Sequence, residues 1–215
     1  MMHNFLQEIE EDLERQKLEE LWRRYGPYIV FFVLLVVVAT AGFTGWHTYR
    51  SNREQKASAA LIDILSQPGI KPAAQIAALQ DFAKNNSGET QAVLARFYAA
   101  SLAVKSGDAK NAAAMYDAIA ADRGVDSAFR QLADLLSVQT QMDSGNPALL
   151  EKRLQPLLAG NAPWRASAIE DTAFLALRAG DKAKARALFR QLLQGVGAPP
   201  DMAARAQDML RYLGE

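Results

Sequence analysis

The chain has no cysteine in 215 residues and only two histidines. The first absence excludes disulfides, thiolate metal sites, a cysteine nucleophile and a lipidated cysteine anchor. It suits an oxidising compartment as well as a reducing one. The histidines, His3 and His47, have no carboxylate or serine partner at a meaningful spacing. No HExxH zinc motif, GxGxxG dinucleotide loop, GxxxxGK[ST] phosphate loop or Asp-Gly-type calcium loop occurs. The adjacent acids Glu170 and Asp171 would point in different directions on a helix, so they read as a solvated face rather than a general acid/base pair. Neither charge is in excess, because 24 basic and 24 acidic side chains cancel. Residues 50–215 hold 20 bases and 17 acids, a surplus too small for nucleic acid. Strand signals are missing too: β-branched residues thin out after residue 50 and no stretch there alternates with period two. The expectation is an all-α protein that is not an enzyme, has no metal or cofactor, and works through a binding surface.

What is present is organised around residues 28–49, which carry no charge over 22 residues and are wholly apolar from 29 to 38. A helix of this length covers about 33 Å, slightly more than the roughly 30 Å hydrocarbon core of a bilayer. Rings with one polar edge flank it: Trp22, Tyr25 and Tyr28 on one side, Trp46 and Tyr49 on the other. Such rings favour the membrane–water boundary, so these five are candidate interface anchors and lipid is a predicted partner. The competing reading is a cleaved signal peptide, with Ala39-Thr40-Ala41 as the small-x-small site. Against it, the preceding segment is long and acidic, and apolar character continues past Ala41. The expectation is therefore a segment 1–27, a single transmembrane helix 28–49, and a 166-residue domain 50–215 across the membrane.

Residues 4–25 read as an amphipathic helix, with Phe5, Ile9, Leu13, Leu18, Trp22 and Tyr25 spaced three to five apart. Seven acids against four bases in residues 1–27 argue against a helix lying on the membrane surface. The segment is either a docking helix or a solvated lead-in that keeps the N-terminus on its own side. Orientation is open from charge alone, since four bases precede the span and Arg50, Arg53 and Lys56 follow it.

From residue 50 onward, Ala, Leu, Gln, Lys and Arg dominate, with Gly and Pro at intervals. These are helix formers and helix breakers, and they predict helices over 53–66, 72–84, 89–105, 109–121, 126–142, 147–158, 163–178, 182–194 and 200–213. A repeat overlies them. Gly107-Asp108 is followed by Ala112, Tyr116 and Ile119; Gly180-Asp181 by Ala185, Phe189 and Leu192 at the same offsets. A middle copy runs from Gly145 through Leu150, Leu154 and Leu157, and a weaker one from Gly69 through Ala74 and Ala78, with Asp81 breaking its last position. The glycines are 38, 38 and 35 residues apart. Gly permits a positive φ in the turn, Asp caps the second helix, and the small and aromatic positions let pairs stack. Pairs that cannot bury their apolar faces alone form a solenoid, and the last helix, 200–213, would cap it. The spacing and turn residues resemble the tetratricopeptide repeat.

In such a solenoid the first helix of each pair lines one face. Counting back from the glycines places Phe97, Ser101 and Lys105 there in the second pair, and Glu170, Phe174 and Arg178 in the fourth. These six are candidate partner-binding residues.

Whole-chain organisation adds a second resemblance. Leu21-Trp22-Arg23-Arg24-Tyr25-Gly26-x-Tyr28 before the apolar stretch, Gly45-Trp46-x-x-Tyr49 at its end, and Ala57-Ser58-Ala59-Ala60-Leu61 carry it. Together with the repeats they resemble the bacterial inner-membrane family of ancillary SecYEG translocon subunits of the YfgM type. The resemblance implies a cytoplasmic N-terminus, a periplasmic solenoid, and association with the SecYEG translocon and a membrane-anchored periplasmic chaperone. It implies help to secreted or membrane proteins emerging from the channel, and no catalytic residues. Two other functions fit the same architecture: an envelope or cell-division scaffold, and a peptide receptor whose solenoid faces the cytosol. Client, stoichiometry and oligomeric state are not set by the residues.

Overall fold

The computed structural model describes residues 40, 43–44, 46–160, 162–195 and 198–214. The chain divides into two units, residues 1–56 and 57–215. In the first, residues 46–56 are helical, with Phe43, Trp46 and Tyr49 exposed. The segment 1–27, with Trp22 and Tyr25, and most of the predicted span, with Tyr28, lie outside the described residues. Among the described residues, no helix is long and apolar enough to cross a membrane.

The second unit starts with the helical residues 57–66 (α1). Then follow α2 (Pro72–Asn85), α3 (Thr90–Lys105), α4 (Ala109–Ala120), α5 (Ser127–Thr140), α6 (Pro147–Leu158), α7 (Arg165–Arg178), α8 (Lys182–Gln194) and α9 (Pro200–Tyr212). The predicted start at residue 53 is not a boundary, since residues 46–66 are continuously helical; from α2 to α9 the boundaries agree with the predicted ones to within about two residues, for identifiable local reasons. Asp108 and Asp181 accept hydrogen bonds from Asn111 N (3.1 Å) and Lys184 N (2.9 Å), as the repeat predicts. Asn146 does the same for α6, accepting from Ala148 N and Leu149 N. Pro occupies the first turn of α2, α6 and α9, where its missing N–H costs nothing.

Packing follows the repeat. Ala112, Tyr116 and Ile119, Leu150, Leu154 and Leu157, and Ala185, Phe189 and Leu192 are all buried. Four apolar clusters succeed one another along the chain, each joining three consecutive helices: α1–α3, α3–α5, α5–α7 and α7–α9. The first helix of a pair thus belongs to two clusters at once. On α3, Ala95 and Ala99 face one way and Ala100 the other; on α7, Ala168 and Leu175 divide from Ile169 and Ala173 in the same manner. Small side chains there let neighbouring pairs approach closely.

Two expectations need correction. The weak copy after Gly69 is out of register: Ala74 and Asp81 are exposed, while Leu79 and Phe82 are buried. The turn holds Ile70 and Lys71, so α2 starts three residues after its glycine where α4, α6 and α8 start two after theirs. One extra residue moves every inward position by one, giving Gln75, Leu79 and Phe82. Gln75 Nε2 then donates to the Ile64 carbonyl at 3.0 Å and ties α2 to α1. Second, Gly145 does not adopt a positive φ, unlike Gly69, Gly107 and Gly180. Its reason is space: a Cβ there would lie 3.0 Å from both the Gln141 carbonyl oxygen and Leu150 Cδ1.

Candidate partner-binding surface

Phe97 is half-buried, with its ring centroid 6.0 Å from Tyr116 and 6.2 Å from Phe129. It sits against the cluster that joins α3 to α5. Phe174 meets Phe189 edge-on at 5.5 Å in the α7–α9 cluster. Ser101 is half-buried and Lys105 exposed. Arg178 is exposed, and its guanidinium donates to the Met142 and Gly145 carbonyls in the turn before α6.

Glu170 and Asp171 overturn the expectation of a solvated face, being 8% and 7% exposed. A helix packed between two neighbouring pairs has little solvated side to offer. Glu170 instead meets Arg205 of α9 in a two-pronged ion pair, Nε at 2.9 Å and Nη2 at 3.0 Å. Asp171 Oδ2 accepts from Gln139 Nε2 of α5 at 2.9 Å. Burial pushes the Asp171 carboxyl up to about 6, against the Gln139 hydrogen bond and with help from Glu170. Arg205 stands 35 residues beyond Glu170, Asp171 32 beyond Gln139, and Gln91 33 beyond its bond to Ser58 Oγ. Each offset is close to one repeat, so α9 contacts α7 as the first helix of a further pair would.

The sequence count missed Leu94 and Tyr98, which are 37% and 49% exposed on α3. With Ser101 and Lys105 they fall at i, i+4, i+7 and i+11, a single stripe. Stepping back by four from Lys105 drifts about 40° per step around the helix, which carried the count past Ser101 and off the stripe to the half-buried Phe97. Alternating steps of four and three would have found it. On α1 the exposed apolar side chain is Ile62, one turn beyond Ser58, whose hydroxyl accepts from Gln91 of α3. This face of the first helices offers apolar and aromatic groups followed by a cation, and the described residues hold no cluster that could ligate a metal.

Helical hairpins of one repeat length, stacked through shared first helices and closed by a capping helix, define a tetratricopeptide-type solenoid. Residues 19–200 match the tetratricopeptide repeat-like domain, and the chain belongs to that family. It is also similar to the ancillary SecYEG translocon subunit of Aggregatibacter actinomycetemcomitans. The two are 29% identical over 194 residues, covering 88% of this chain and 92% of that protein. That relative is of the kind to which the residues flanking the apolar stretch point. No solved structure matches the chain.

Proposed function

We propose that this protein is a membrane-anchored, non-enzymatic scaffold that binds proteins at the SecYEG translocon, alongside a membrane-anchored periplasmic chaperone, during secreted or membrane protein biogenesis. The observation that carries the reading is similarity to a translocon subunit over 88% of the chain, apolar stretch included. Residues 28–49 span the bacterial inner membrane once, Trp22, Tyr25, Tyr28, Trp46 and Tyr49 sit at its interfaces, and the N-terminus is cytoplasmic. The exposure of Phe43, Trp46 and Tyr49 supports the second interface, since such rings gain by lying among lipid headgroups. The solenoid is periplasmic. Ile62, Leu94, Tyr98, Ser101 and Lys105 form its partner face, and Arg178 extends it toward the fourth pair. Phe97, Glu170 and Phe174 support that face from beneath.

Protease added to intact spheroplasts carrying a C-terminally tagged chain tests the topology. Digestion of the solenoid is the expected result, followed by cross-linking of a photoreactive residue at position 98 to the channel or its chaperone. Protection of the tag would place the solenoid in the cytosol and leave a peptide receptor as the reading. Digestion with cross-links only to envelope or division proteins would remove the translocon from it.

A further inference from the structure

The three seams between successive second helices differ in what fills them. Between α4 and α6, Arg153 reaches across: its Nη2 donates to Asp117 at 2.7 Å, its Nε to Asp134 at 3.0 Å, and Ser137 Oγ donates to Asp117 at 2.6 Å. Between α6 and α8, the positions equivalent to Asp134 and Arg153 are Ile169 and Leu188, both packed in the α7–α9 cluster, and Lys184 pairs with Glu151 above them. Between α2 and α4 the equivalents, with α2 shifted by its extra residue, are Gln80 for Asp117, Arg96 for Asp134, Ala99 for Ser137 and Met115 for Arg153. Among the described residues no side-chain hydrogen bond or ion pair joins α2 to α4 there; Met115 packs against the α1–α3 cluster from one side. A groove of about 420 Å³ remains, lined by those four side chains with Ala118 and Lys84. It lies on the side of α3 opposite the Leu94–Tyr98 stripe.

The chain closes the α4–α6 seam with a long cation between carboxylates, and in the next copy the equivalent positions, Ile169 and Leu188, go into the α7–α9 cluster while Lys184 pairs with Glu151 across α6 and α8. The open seam has an apolar floor and two cations, and no carboxylate lines it. Arg96 is held in the wall by Asp122 (2.7 Å) and the Ala118 carbonyl (2.9 Å). Among the described residues Lys84 pairs with Asp81 of its own helix at 3.3 Å, with side chains 76% and 70% exposed. Such a pair contributes little, and Lys84 can exchange it for another carboxylate. A trough between two helices with an alanine floor accepts a third helix by its apolar anchors.

We infer that the α2–α4 groove is a second partner-binding site, and that it takes an amphipathic helix presenting large apolar side chains with a carboxylate within one turn of them. The apolar side chains lie over Ala99, Met115 and Ala118, as Leu188 lies in the third seam, and the carboxylate meets Lys84. The inference deepens the protein-binding reading but needs neither the translocon nor a particular membrane side, so each can fail without the other.

The test uses the full-length chain in neutral-lipid nanodiscs, labelled with ¹³C at methionine methyls. The probe is a synthetic helical peptide with paired leucines flanked by glutamates. A saturable shift of the Met115 methyl is expected, with Met202 and Met209 of α9 unmoved. Ala118→Phe, which fills the groove from its exposed rim, abolishes the shift. Lys84→Glu weakens binding about threefold and favours a lysine-flanked version of the same peptide. No shift at Met115, a shift indifferent to Ala118→Phe, or binding abolished by Tyr98→Ala instead would overturn the proposal. Myristate moving Met115 where the peptide does not would assign the groove to a single-chain amphiphile and overturn it too.

Discussion

Asp171 shows what a single residue carries in a stacked repeat. Its place on α7, beside Glu170 and facing Gln139, leaves the residue 7% exposed and its carboxyl with one neutral donor. Glu170, on the same helix, keeps its charge company with Arg205 from α9, so no cation is left to hold the proton off Asp171. Two adjacent acids on a helix suggest a wet surface, and nothing within the dipeptide says otherwise. The burial comes from helices α5 and α9, tens of residues away. The folded carboxyl titrates near 6 against 3.8 in an open chain. Its contribution to stability is therefore fully present below about 4 and is lost as pH rises through about 6. Asp122 and Asp201 have carboxyls held below the usual range, by Arg96 and Arg205 hydrogen bonds first, so their contributions run the other way. The difference between wild type and Asp171→Asn isolates Asp171. The variant should gain about 1–3 kcal/mol over wild type at pH 7.5 and almost nothing at pH 4. Thermal unfolding followed by circular dichroism at both pH values checks this, and an equal effect at the two would deny Asp171 its buried, proton-holding state.

At the scale of the helix, glycine offsets are the readable signal and turn length is the hidden one. Three copies share a two-residue step from glycine to helix start, and their nine inward positions could be read directly. In the first pair Ile70 and Lys71 lengthen that step, and the apparent inward residue at 81 becomes an exposed acid bonded to Lys84 at 3.3 Å. The adjacent Phe82 is the buried one. Phe82→Ala should cost about 3–5 kcal/mol, the usual loss for an emptied aromatic site. Asp81→Ala should change stability by less than about 0.5 kcal/mol. The unregistered repeat would give the opposite order, so chemical denaturation of the two variants decides the register. Glycine identity is similarly ambiguous from sequence, because one residue type serves two purposes. Gly180→Ala meets open space but a φ of +84, and should cost about 1 kcal/mol of backbone strain. Gly145→Ala has no such strain; it must instead push aside Leu150 and the Gln141 carbonyl. Leu150→Ala should therefore lessen the cost of Gly145→Ala and leave that of Gly180→Ala unchanged, a double-mutant comparison read by the same denaturation curves.

At the scale of the molecule, the chain of four clusters makes stability a nearest-neighbour property. Each cluster joins three consecutive helices, and none of the four joins α1–α3 directly to α7–α9. The architecture was readable because short loops and a recurrent glycine leave a chain few alternatives to stacked hairpins. The binding face was less so, because it depends on which side of α3 the neighbouring pair leaves open. Helix α9 ends the stack: Met202, Ala206 and Leu210 complete the last cluster, and Arg205 matches Glu170. Removing α9 leaves Glu170 as a buried carboxylate without its cation and bares the α7–α8 surface. In a one-dimensional stack that damage should decay with distance. Amide exchange of a chain lacking α9 should show α7 and α8 losing most of their protection, α5 and α6 some of it, and α2 and α3 nearly none. Met202→Lys should give the same gradient in a milder form, since it undoes the docking of α9 without shortening the chain. Uniform loss along all helices would mean that the solenoid folds as one unit, and cross-repeat contacts such as Arg153–Asp117 and Arg178–Gly145 would then carry cooperativity along its whole length.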